Sequence, residues 1–114
     1  MKSDVRTLLF DILVSSTFIE EFVSGSDFAE YSRSAKTKAA VERHFINIGE
    51  ALNRLKQIDD LMFGQIVQAP QIIGFRNVLV HGYDAVSDEL VWGIVIEKLP
   101  ALKELCEILM NSDE

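Results

Sequence analysis

"AVERHFINIGEALNRL", residues 40–55, sets Val41, Phe45, Ile48, Leu52 and Leu55 at intervals of four, three, four and three. Those intervals return an apolar side chain to one face of an α-helix, and no strand alternation fits them. The same stripe runs from Ser34 to about Ile58, so this segment reads as one long helix. Gly49 sits inside it, where glycine costs about 1 kcal/mol relative to alanine. A close approach by a neighbouring helix is the reading that justifies it.

Working outward, the rest of the chain has the same character. Apolar residues at 5, 8, 9, 12, 19, 22 and 23 predict an amphipathic helix over 4–24, with Gly25 at its end and Ser26 or Asp27 as the next cap. "DFAEYS" suits a short helical turn, and residues 59–69 read as a connector with a short helix. Pro70 fits the first turn of a third helix, "PQIIGFRNVLVHG", which Gly82 is placed to terminate. Ser87 or Asp88 can cap a last helix reaching about Met110, and Pro100 should kink it after Ile96 or divide it. The expectation is all-α: a single domain over residues 1–114, folded as an up-and-down bundle of four main helices with short connecting helices.

Composition narrows the function classes. No apolar run approaches the ~20 residues of a membrane span, and Asp11, Glu20 and Glu21 interrupt any signal-peptide core. Cys106 has no second cysteine to pair with and lies among Leu102, Leu105, Leu109 and Met110, so it reads as a buried small hydrophobe in a reducing, cytoplasmic setting. The net charge of −7 argues against broad nucleic-acid binding. Its distribution is uneven, however. Residues 33–56 carry Arg33, Lys36, Lys38, Arg43, Arg54 and Lys56 against Glu42 and Glu50, whereas residues 84–114 carry eight carboxylates against Lys98 and Lys103. The basic segment is either a solvated helix face or a patch that meets phosphates.

Inside the third helix, "FRNVLVHGY" (75–83) puts Arg76, Asn77, His81 and Tyr83 where a packing helix needs apolar groups. Five residues of straight helix turn Arg76 and His81 about 140° apart. They converge only if the helix loosens near Gly82 or a cleft is wide enough for both. The residue types suit phosphodiester chemistry. Histidine can take a proton from a ribose 2′-hydroxyl or give one to the leaving oxygen, and arginine can hold the phosphate oxygens as charge builds. Asn77 can hold the histidine tautomer or a phosphate oxygen through its amide. The bland alternative is a pair that satisfies helix-end carbonyls. No metal is required. His81 and Asp84 form only an H-x-x-D, and His44 reads as a surface residue or a partner contact.

"RNVLVHGY" resembles the R-x4-H-x-Y signature of the HepT-like toxins, a branch of the HEPN ribonuclease superfamily. "AVERHFINIGEALNRL" is similar to the family's second long helix, and "YDAVSDELVW" with "LPAL" to the segment after the motif. Ser87 stands where aspartate is frequent, and "APQIIGF" lacks a tryptophan often found there. The resemblance implies a homodimeric, metal-independent endoribonuclease toxin of a type VII toxin–antitoxin system, acting on transfer or messenger RNA without a cofactor of its own. It implies Arg76 and His81 as catalytic, Asn77 as accessory, and Tyr83 as the site of AMPylation. The modifying antitoxin would be a minimal nucleotidyltransferase of the MntA kind, using ATP and Mg²⁺. The rival readings are a non-catalytic helical partner or substrate-binding subunit of such a nucleotidyltransferase, and a bare structural dimer.

Overall fold

A computed structural model describes residues 1–112. Among them every regular element is helical. α1, Ser3–Val23, buries Val5, Leu8, Leu9, Ile12 and Ile19 along one stripe. Gly25 ends it at φ +76°, a left-handed turn that glycine enters without strain. The short α2, Phe28–Arg33, opens on a reciprocal cap: Asp27 Oδ1 accepts from the Glu30 N–H at 2.8 Å, and Glu30 Oε1 from the Asp27 N–H at 3.1 Å.

α3, Ala35–Ile58, is capped by the Ser34 hydroxyl and buries the full predicted stripe, together with Gly49 and Ala51. It is the central element, packing on α1 along one side and α5 along another. The short α4, Asp60–Gly64, follows, and then α5, Ala69–His81, with Pro70 in its first turn. A 3-10 turn, Tyr83–Ala85, leads to α6, Asp88–Glu97, which Ser87 caps through the Leu90 N–H at 3.1 Å.

The predicted last helix is divided. α6 stops at Glu97, and α7, Leu99–Asn111, restarts with Pro100 in its first turn, where its missing N–H and fixed φ fit. The result is an all-α up-and-down bundle whose main segments are α1, α3, α5 and the α6–α7 pair. No described helix is long and apolar enough to cross a membrane.

Three aromatic contacts fix the elements that matter for the site. Phe45 of α3 meets Phe75 of α5 edge-on, centroids 5.2 Å apart, directly beside Arg76. Both rings are buried, and truncating either costs roughly 3–5 kcal/mol in a packed core. Trp92 of α6 packs on Tyr31 at 5.2 Å and Phe28 at 6.2 Å, holding α2 beside the start of α6.

Candidate active site on α5 and the turn after it

α5 buries Ile72, Phe75 and Leu79, which leaves Asn77 and His81 exposed and puts Arg76 at the edge of the buried stripe, against α3. It remains helical through His81, and the Gly82 N–H closes it on the Val78 carbonyl at 2.9 Å. The helix therefore does not loosen before Gly82. Arg76 and His81 stay about 140° apart around the axis. The backbone of α5 alone does not bring them onto one face.

Arg76 is half-buried because its stem lies on α3. A Cβ built on Gly49 would stand 2.4 Å from Arg76 Cβ and 2.6 Å from Cγ, so glycine alone leaves room for this crossing. The close approach expected at Gly49 is thus the seat of the candidate catalytic arginine. Nη1 of Arg76 donates to Asn77 Oδ1 at 3.1 Å, which orients the guanidinium. Asn77 serves the arginine, and nothing ties it to His81. Nε of Arg76 is buried with no hydrogen-bond partner. Leaving such a donor unpaired costs roughly 1–3 kcal/mol, a concession to local rules of the sort expected where chemistry rather than packing sets the side chain. His81 is exposed at the end of α5.

Tyr83 is 60% exposed, yet its hydroxyl is held: Oη donates to Glu42 Oε1 of α3 at 2.9 Å. That hydrogen bond, reinforced by the carboxylate's charge, holds the phenol above its ordinary value of 10.0. Beside it lies a cavity of about 300 Å³ walled by Lys38, Ala39, Glu42, Tyr83 and Asp88. Asp88 accepts from the Ser32 hydroxyl at 2.7 Å and pairs with Lys38 Nζ at 3.4 Å.

Residues 12–109 match the family model described as "Ribonuclease HepT-like". The chain belongs to the HepT-like ribonuclease family. It is similar to "Putative RNase MJ0127" of Methanocaldococcus jannaschii, 35% identical over 96% of this chain and 91% of that protein. "Putative RNase MJ1380" of the same organism is 33% identical over 95% and 98%. "Probable ribonuclease HepT" of Thermococcus cleftensis is 30% identical over 90% and 93%. No solved structure matches the chain closely enough to be significant. Membership makes the protein an enzyme of the ribonuclease class.

Two features of this HepT-like chain escape its sequence. Glu42 looks like one acid among the basic residues of 33–56, and nothing in the pattern pairs it with a tyrosine 41 positions on. The surroundings of His44, expected as a surface residue or a partner contact, are the second feature. His44 is half-buried, stacked on Phe18 at 5.1 Å and tilted against Phe22 at 5.6 Å, with Nδ1 3.1 Å from Ser15 Oγ. Burial, then the charge of Arg43, pushes its titration below the usual 6.5. It lines a separate hollow of about 430 Å³ between α1 and α3, with Asp11, Asn47, Glu50 and Arg54. Among the described residues no group of three or more metal-binding side chains comes together.

Proposed function

We propose that this HepT-like ribonuclease is the toxin of a type VII toxin–antitoxin pair: a cytoplasmic, metal-independent endoribonuclease that cuts transfer or messenger RNA with Arg76 and His81. The observation that carries the reading is the mounting of Arg76, seated over Gly49 and aimed by Asn77 on the helix that ends in exposed His81. Arg76 grips the scissile phosphate and stabilises the charge of the transition state. His81 moves the proton: it takes one from the 2′-hydroxyl as that oxygen attacks phosphorus, and returns one to the departing 5′-oxygen. The products are a 2′,3′-cyclic phosphate and a 5′-hydroxyl.

The 140° separation is resolved by a homodimer, in which two copies bring two arginines and two histidines to one groove. Phe10, Phe18 and Phe22 are exposed along α1, an apolar face of the kind that association buries. Neutralisation is transfer of AMP from ATP to Tyr83 by a Mg²⁺-dependent nucleotidyltransferase of the MntA kind. The adduct carries a charge of about −1 and competes with RNA for Arg76.

Purified protein should cleave RNA in EDTA and leave cyclic phosphate ends. Arg76→Ala and His81→Ala should each lose ~100-fold or more while melting as wild type does. Equal cleavage by the His81→Ala protein would refute the assignment of roles. Absence of cleavage by well-folded wild type would leave the chain as a non-catalytic partner of the nucleotidyltransferase.

A further inference from the structure

Tyr83 does not hang free after Gly82. Its hydroxyl reaches across to α3 and donates to Glu42 Oε1 at 2.9 Å, while most of its ring remains open to solvent. The surroundings favour Glu42 as the acceptor. Ala35, Lys38, Ala39 and Glu42 follow one another along a single face of α3, and across the cavity Asp88 is already engaged by Ser32 and Lys38. Two alanines keep that face low, which leaves the phenol oxygen accessible beside the cavity rather than sealed beneath side chains.

We infer that Glu42 is the proton acceptor that activates the Tyr83 hydroxyl when that oxygen takes up a nucleotidyl group. The inference rests on the modification of Tyr83 proposed above. In the step, Tyr83 Oη attacks the α-phosphorus of a nucleoside triphosphate. The Oη–P bond forms as the bond from phosphorus to the bridging oxygen breaks, and pyrophosphate leaves with that electron pair. The phenolic proton passes to Glu42 Oε1. A phenol whose titration lies above 10.0 is almost wholly protonated near neutrality, so a base within hydrogen-bond reach is what makes it a nucleophile. Glu42 then gives the proton up to solvent. The ester has no proton to donate to the restored carboxylate, so the modified side chain does not remake the contact that activated the hydroxyl.

Glu42→Gln separates this role from a structural one, because the amide oxygen still accepts from the tyrosine but cannot take its proton. The full-length chain, wild type or variant, is incubated with a small MntA-type nucleotidyltransferase and Mg·ATP, and AMP on the Tyr83 peptide is timed by mass spectrometry. In Glu42→Gln the turnover number should fall about 100-fold with the KM for the chain unchanged. Glu42→Asp, which keeps a carboxylate one methylene short, should recover part of the rate. RNA cleavage and melting should match wild type in both variants, which reports an intact fold. Wild-type turnover by Glu42→Gln, with Tyr83 still the residue modified, would overturn Glu42 as the acceptor and leave the modification standing. Wild-type chain that is neutralised without any AMP on Tyr83 would overturn both. A Glu42→Gln protein whose KM rises while its turnover number holds would make Glu42 a docking contact and overturn the inference.

Discussion

Gly49→Ala is the sharpest test of how the site is built, because a single methyl group must enter an occupied place. The new Cβ would lie 2.4 Å from Arg76 Cβ and 2.6 Å from Cγ. Ordinary carbon–carbon contacts lie at roughly 3.5–4.0 Å, so α3 and α5 must part by about 1 Å. Arg76 Cβ cannot rotate aside, since it is fixed to the backbone of α5. Overpacking of this kind costs roughly 1–3 kcal/mol, and alanine returns about 1 kcal/mol of helix propensity. A net loss of about 0–2 kcal/mol is expected, read as a fall in Tm of up to roughly 10 °C for a domain of this size. The chemistry should suffer more than the fold, because a 1 Å displacement of a positioning arginine costs on the order of 100-fold in rate. Gly74→Ala is the matched control: it lies two residues before Arg76 on α5, and nothing stands within 4 Å of its would-be Cβ. It should gain roughly 0.5–1 kcal/mol and cleave RNA normally. Thermal melts followed by circular dichroism, beside a gel cleavage assay, read both quantities. A Gly49→Ala protein as stable and as active as Gly74→Ala would refute the seating of Arg76 on α3.

Two further outcomes follow from the burial of single groups. His44 titrates lower in the folded chain than in the unfolded one, where 6.5 applies, so the unfolded state binds more protons just below that pH. Stability should therefore decline as pH falls through 6.5, and His44→Phe should flatten that decline in urea midpoints taken between about pH 7.5 and 5.5; an unchanged slope would count against it. Burial pushes the Cys106 thiol up to about 12, so the native protein should resist a thiol reagent at about pH 8 and react fully in denaturant; rapid labelling of the native form would refute this.

The helices were legible because their signals are local. Val41 to Leu55 carries its own period, each cap is narrowed to two neighbours of which Asp27 and Ser87 serve, and Gly25, Gly82 and Pro100 mark boundaries that the structure respects. The closeness of a neighbour to Gly49 was also legible, since a mid-helix glycine needs a reason. That the neighbour is Arg76 was not, because a residue's partner across a bundle depends on how two helices are set against each other. The same holds for Tyr83 and Glu42, and for the rings that enclose His44. Spacing alone also left the pairing of Arg76 with His81 open, and a regular α5 keeps them apart.

Glu42 and Gly49 are seven residues apart on α3, and the residues they touch, Tyr83 and Arg76, are seven apart in the opposite order. Each pair of residue numbers sums to the same value, as rungs between two antiparallel rails must. Seven residues of α3 span two helical turns, about 10 Å, so one contact indexes α5 against α3 and the other indexes the turn that follows α5. Inserting or deleting one residue between 42 and 49 would swing one contact about 100° out of line while leaving the other seated. That stretch of α3 is consequently fixed in length as well as in residue type.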